Sequence, residues 1–234
     1  IVAELDANPP PVDPEELAEV KALVDWLADD HFTFLGYKDY DLRMEGEDDV
    51  LVAVPESGLG ILREAEQKPM SHSFARLSPE ARRLAHARTL VNLTKANSRA
   101  TVHRPAYLDY VGLKRFNENG DVLGERRFLG LYTHTAYRTS PWEIPVLRRK
   151  VERVVERSGF VRGGHDYKAL VEVLEGYPRE ELFQIDEDQL FDTAMAVAHL
   201  GERRRLRLFI RRDAFGRFLS CLVYLPLERY NTGV

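Results

Sequence analysis

Lys95, Asn97, Arg99, His103 and Arg104 fall in one short run between Leu90 and Tyr110, with Thr94, Tyr107 and Tyr110 interleaved. Guanidinium, ammonium and imidazole donors gathered this closely can make charge-assisted hydrogen bonds to a carboxylate or a phosphate. Strict alternation would put Lys95, Asn97 and Arg99 on one side of a strand, unless a turn breaks the register. Three readings of this stretch stand side by side: an anion pocket, a subunit contact, and a solvated sheet face. Charged residues usually lie exposed, which favours the last. Tyr107 and Tyr110 between basic residues also resemble a base-stacking surface. The neighbouring Asp109 and a net charge of -5 argue against nucleic acid.

Other chemistries lack their residues. Gly58-Leu59-Gly60-Ile61-Leu62-Arg63 has the first two glycines of a dinucleotide fingerprint, but Arg63 stands where a third small residue must let helix and strand approach. It reads as a bend between strands. Gly163-Gly164 is followed by His165 and not by the lysine of a phosphate loop. The seven histidines are scattered, with no pair four apart beside a glutamate, so no zinc hydrolase motif is present. Gly-x-Ser-x-Gly is absent. Cys221 is the only cysteine; it rules out an internal disulfide, suits a reducing compartment, and within Leu219–Val223 reads as a small buried hydrophobe. No catalytic residue, cofactor-binding residue or metal ligand is therefore assigned.

The elements that would position the basic run begin after an extended, proline-rich lead-in over residues 1–13. Asp13 caps a helix with Pro14 at its first position and Glu16 at capping-box spacing. Leu17, Val20, Val24 and Leu27 give it one apolar face to about Asp30. Strands follow over 32–42, 51–54 and 59–63, with an acidic turn at 45–49. A helix capped by Ser78 runs to about Ala87. Strands over 90–95 and 101–103 carry the basic residues, and 107–116 pairs with 122–131 across Asn119-Gly120, the dipeptide of a type I′ hairpin. Many strands with few intervening helices predict an α+β fold with a mainly antiparallel sheet and flanking helices.

Composition changes after Ser140. A helix opening at Pro141 is expected to run to Arg157 and stop at Gly159, followed by helices over 167–175 and 187–200 and a short turn after Pro178. A last hairpin joins 206–211 to 217–225, with Leu206, Leu208, Ile210, Leu219, Cys221 and Val223 on one apolar face. A lone hairpin is marginal and needs further strands. The expected divisions are 1–13, an extended lead-in; 14–139, a sensor-like α+β domain; 140–203, a helical connector; and 204–234, an incomplete β-hairpin unit. At 234 residues, 44% hydrophobic and 30% charged, the composition is that of a globular protein. There is no apolar run long enough to span a bilayer and no signal-peptide pattern. A start at Ile1 and a stop at Val234 read as a piece of something longer.

Several ordered runs resemble one family. They are His31-Phe32-Thr33-Phe34-Leu35-Gly36-Tyr37, Gly58–Arg63, Thr94-Lys95-Ala96-Asn97-Ser98-Arg99 with His103-Arg104-Pro105, and Tyr110-Val111-Gly112. Arg126–Leu131, Pro178–Phe183, Phe215-Gly216-Arg217 and Arg229-Tyr230-Asn231 extend them nearly to the end. Together they resemble the amino-terminal regulatory region of the large bacterial NAD-specific glutamate dehydrogenases. The resemblance implies PAS-like or ACT-like units over 14–139 and an opening ACT-like hairpin at 204–234. It also implies a cytoplasmic, non-catalytic piece holding no cofactor, whose parent uses NAD to deaminate glutamate oxidatively to 2-oxoglutarate. Its implied partners are the catalytic remainder of the same polypeptide, further copies in a homo-oligomer, and an amino-acid or anionic effector, without nucleic acid or membrane. The alternative is a free-standing module that binds an amino acid or another anion at the basic run.

Overall fold

A computed structural model describes residues 1–45, 48–63, 86–200, 206–213 and 218–225. The chain forms two compact units, Ile1–Arg138 and Thr139–Val234. The expected helix from Ser78 lies mostly outside the described residues, as do the tips of the acidic turn and of the last hairpin.

In the first unit α1 (Val2–Ala7) precedes α2 (Pro14–Trp26); the lead-in expected to be extended over 1–13 is thus helical before its prolines, where the amides of Leu5 and Asn8 bond the carbonyls of Ile1 and Glu4. The Asp13 carboxylate accepts from the amides of Glu15 and Glu16 at 2.7 and 3.4 Å, and Pro14 occupies the position that needs no donor. Glu16 does not close a capping box. Its Oε1 accepts from the amide of Leu90 at 2.6 Å, tying the helix to residues just ahead of a strand. The helix ends four residues earlier than expected. A wider turn over Leu27–His31 follows, in which Asp30 has φ 60° and His31 stacks on Trp26 with centroids 4.1 Å apart.

The sheet comprises β1 (Phe32–Glu45), β2 (Asp48–Ala53), β3 (Leu59–Gly60), β4 (Val91–Arg99), β5 (Tyr107–Phe116) and β6 (Val122–Tyr132). Its order is β2-β1-β6-β5-β4, every pairing is antiparallel, and β3 adds to β1. The α+β expectation holds. Buried Leu108, Tyr110, Leu129, Leu131 and Ala100 form an apolar cluster, flanked by Leu35, Leu62, Ala96 and Ala106. A short helix α3 (His134–Arg138) ends the unit.

Three local expectations fail here. Residues 101–103 are not a strand: β4 runs on to Arg99, and the amide of Ala100 then bonds the carbonyl of Ala106 at 2.8 Å, pinching off a loop in which His103 has φ 66°. Only Leu59 and Gly60 of the stretch 59–63 pair as strand, because the amides of Leu62 and Arg63 fold back onto the carbonyls of Leu59 and Gly60. The β5–β6 connection is not type I′. Gly120 alone takes positive φ, 83°, while the Asn117 side-chain oxygen accepts from the amides of Asn119 and Asp121, both at 2.9 Å. That side chain stabilises a turn begun at Asn117, with glycine as its left-handed last residue.

The second unit holds α4 (Leu147–Ser158), α5 (His165–Glu175), α6 (Arg179–Gln184), α7 (Glu187–Ala198) and the hairpin of β7 (Arg207–Arg212) with β8 (Leu219–Tyr224). Asp186 caps α7 by accepting from the amide of Gln189 at 2.8 Å, and Gly159 closes α4 at φ 67°. The helix expected from Pro141 starts six residues later, at Leu147. Pro145 has no amide to donate into a preceding turn, and Val146 takes φ 70°, which interrupts any continuous helix. Leu147, Val151, Val154, Leu170, Leu174, Leu182 and Leu190 are fully buried and make the core of this unit. The hairpin reverses the other expectation: Leu206, Leu208, Ile210, Leu219 and Val223 are 50–63% exposed, and Cys221 is exposed with them. Phe209, Arg211, Ser220, Leu222 and Tyr224, on the opposite face, are the more covered set.

Candidate functional site

The run 94–104 does not converge on one point. Lys95, on β4, pairs with the buried carboxylate of Asp109 on β5 at 2.7 Å, so its charge is compensated within the sheet. The register between β4 and β5 slips between Lys95 and Arg99, which breaks the alternation that would have aligned Lys95, Asn97 and Arg99. Asn97, Arg99, His103 and Arg104 are exposed. The Arg99 guanidinium lies over the Tyr107 ring at 5.0 Å. Arg104 donates to the carbonyl of Tyr132 at 3.1 Å and lies 5.7 Å from the Tyr137 ring. These residues form a polar rim along one end of the sheet.

A denser constellation, which sequence reading did not single out, lies on the sheet itself. Register places Tyr40, Glu125 and Lys114 in one cross-strand row, and Lys38, Arg127, Gly112 and Asn92 in the next. Direct partners in an antiparallel sheet project from the same face, so these rows are neighbours on one surface. Lys38, Lys114, Glu125 and Arg127 are all buried, at 5–8% exposure. Glu125 Oε1 accepts from Arg127 Nε and Nη2 at 3.1 and 2.8 Å, and from the Tyr110 hydroxyl. Gly112 makes room for this: a Cβ there would stand 2.8 Å from the Tyr110 ring and 3.1 Å from Glu125 Oε2. The Arg127 guanidinium is sandwiched, 3.8 Å from the Tyr40 ring centroid and 5.1 Å from that of Tyr110.

Electrostatics follow from that enclosure. Burial and the adjacent Glu125 push the Tyr110 hydroxyl well above its usual range, so it stays a donor. Burial works against the Arg127 charge, yet Tyr110, Glu125 and Tyr40 raise its pKa above the ordinary value. Lys114 is pulled down to about 8 by burial; its ammonium donates to the carbonyl of Ala87 at 2.6 Å. The face thus carries fixed, internally bonded charge. Alternation and composition gave no signal for it, since Lys38, Tyr40, Glu125 and Arg127 become neighbours only through strand pairing. Among the described residues no group of three or more His, Cys, Asp or Glu side chains could hold a metal ion, and no helix is long and apolar enough to cross a membrane.

Comparison with known proteins places the chain. Residues 144–203 match the family model for glutamate dehydrogenase, helical motif 1, and residues 207–234 match that for the glutamate dehydrogenase ACT2 domain. The first match spans the helices of the second unit, and the second begins on β7. Over 232 residues the chain is 41% identical to an NAD-specific glutamate dehydrogenase of Halomonas elongata, covering 99% of this chain and 14% of that protein. A Pseudomonas aeruginosa NAD-specific glutamate dehydrogenase is 40% identical over 218 residues, or 93% of this chain and 13% of the relative. One from Mycobacterium tuberculosis is 31% identical over 216 residues, or 92% and 12%. The chain therefore spans 14% or less of the length of these relatives. The resemblance to the amino-terminal region of such enzymes, read from the sequence, holds over nearly the whole chain.

Proposed function

We propose that this chain is a non-catalytic regulatory and assembly segment of a large, cytoplasmic NAD-specific glutamate dehydrogenase. The parent enzyme would oxidatively deaminate L-glutamate to 2-oxoglutarate with NAD bound in a catalytic part outside this chain. One observation carries the reading: the β7–β8 hairpin presents five large apolar side chains at 50–63% exposure, and the match to an ACT2 domain starts on this hairpin. A contiguous apolar face of this kind is an interaction surface. Its occupant would be further strands of the same polypeptide or of another copy in a homo-oligomer, with 14–139 acting as a PAS-like or ACT-like sensor and 140–203 as the connector. An effector that binds one arrangement better than another would shift the population seen by the distant active site.

Two measurements test this. The purified chain should form no NADH from glutamate and NAD, and steady turnover by clean protein would end the proposal. Restoring the sequence that follows the hairpin should bury its apolar face, so Leu208 and Val223 should become protected from hydroxyl-radical labelling. A second reading, a free-standing binding module, draws on the exposed rim of Asn97, Arg99, His103 and Arg104 with Lys95 behind it. A thermal-shift response to an amino acid or organic acid, abolished by Arg99→Ala, would favour that reading.

A further inference from the structure

The second unit contains an open-sided cavity of about 350 Å³ lined by α6, α7 and the hairpin. That volume lies at the small end of the range for ligand sites. Its wall has an apolar part, Ile185, Phe209 and Leu222, and a polar part that includes Tyr177, Glu181, Arg211, Asp192 and Thr193. Tyr177 is 1% exposed and its hydroxyl has no hydrogen-bond partner. Thr193 shares the wall and lies near enough to the hydroxyl to lower its pKa, yet the contact falls short of hydrogen-bond geometry. A buried hydroxyl left unpaired is costly and rare.

Tyr177 is also held in place. Its carbonyl accepts from Arg179 Nη1 at 2.7 Å, and Arg179 in turn donates to the carbonyl of Thr139 at 2.8 Å. Glu181 and Arg211 form a bidentate pair that cancels within the wall. Asp192, exposed at the rim, makes no ion pair with a described residue. Among the described residues the site therefore offers one carboxylate without an ion-pair partner at its mouth, an apolar middle, and an unused donor at its buried end. An anion would meet the wrong sign.

We propose that this cavity binds a small organic cation that also carries a neutral hydrogen-bond acceptor, an amino alcohol or amino amide by chemical class. Its ammonium faces Asp192, its carbon chain lies along Phe209 and Leu222, and its acceptor accepts a hydrogen bond from the Tyr177 hydroxyl. The inference goes beyond the regulatory reading, and its failure would leave the turnover and labelling results unchanged.

The test is an NMR titration of the full chain with aminobutanol, butylammonium and hydroxybutyrate, following the amides of Thr193, Ser220 and Leu222. Aminobutanol should saturate. Butylammonium, lacking the acceptor, should bind about tenfold more weakly, the worth of one neutral hydrogen bond. Hydroxybutyrate should not saturate. Tyr177→Phe should reduce aminobutanol to the level of butylammonium, leave butylammonium unchanged, and raise the Tm of the free chain by removing an unpaired hydroxyl. Asp192→Asn should weaken both amines alike. A lowered Tm for Tyr177→Phe would show that the hydroxyl already has a partner and would overturn the assignment. Shifts that never saturate, or hydroxybutyrate binding as well as aminobutanol, would overturn it too.

Discussion

Among the described residues each compact unit buries one carboxylate–guanidinium pair, and the two are finished differently. Glu125 and Arg127 have side chains 9% and 6% exposed; those of Glu181 and Arg211 are 8% and 9% exposed. Side-chain exposure is thus alike in both, although Arg211 lies nearer the surface than Arg127. Around Arg127, two tyrosine rings and the Tyr110 hydroxyl close the remaining directions. Around Arg211 the pair sits in the wall of a cavity beside an unpaired phenol. Burial pulls against the charge of Arg211 as well, and the bond to Glu181 more than offsets it, raising its pKa. A closed network fixes a fold, whereas a pair with one open side leaves space that solvent or a ligand can fill.

The largest expected effect breaks the closed network. Glu125→Ala leaves Arg127 buried without its anion and should destabilise the first unit by about 3–5 kcal/mol in denaturant unfolding. Glu181→Ala should cost less, about 2 kcal/mol, because water in the cavity can solvate Arg211. Equal losses would erase the contrast between closed and open pairs. Gly112→Ala comes next: a Cβ at 2.8 Å from the Tyr110 ring must displace it, at a cost of about 1–3 kcal/mol and with loss of Tyr110 protection.

A smaller effect concerns pH, and here the two units should behave alike. Burial lowers Lys114 and Lys150 to about 8, from 10.5 when free. Lys150 remains tied to the carbonyls of Leu182 and Ile185 at 2.9 and 2.8 Å. Between those two values the unfolded chain binds more protons than the folded one, so stability should rise as pH climbs from about 8. Near pH 10 buried tyrosines such as Tyr110 and Tyr132, with raised pKa, begin to oppose the gain. Urea midpoints at pH 7.5, 8.5 and 9.5 should therefore increase in order; a fall over that interval would contradict the lysine assignment. The smallest change is on the exposed face of the hairpin. Leu208→Lys should move the stability of this chain by no more than about 0.5 kcal/mol. A large loss would mean that this face is packed within the second unit.

How much could be read in advance depended on the range of the interaction. The Asp13 cap, the Asp186 cap and the Gly159 stop involve residues within four positions of one another, and all three stand. The β5–β6 hairpin was legible as a pair of strands, but its turn type was not, because Asn117 competes with Asn119-Gly120 through two side-chain bonds. Alternation found the hairpin of the second unit and its apolar side. It could not tell which side the helices cover, and they cover the one holding Phe209 and Arg211. The basic run was conspicuous in sequence because its members are adjacent, and strand register then sent Lys95 to Asp109 and the rest to the rim.

Composition, caps and the order of recognisable runs were enough to define an α+β chain related to one enzyme family and to show that it lacks nucleophile, metal and dinucleotide motifs. These depend on residue identity and on separations of a few positions. Only the folded arrangement brought Tyr40, Tyr110, Glu125 and Arg127 into one network, left Tyr177 without a partner, and turned Leu208 and Val223 outward. Such outcomes depend on which strands pair, in what register, and which face a helix covers. Those choices are made by burial and hydrogen bonding between residues far apart in the chain, where local pattern carries no information.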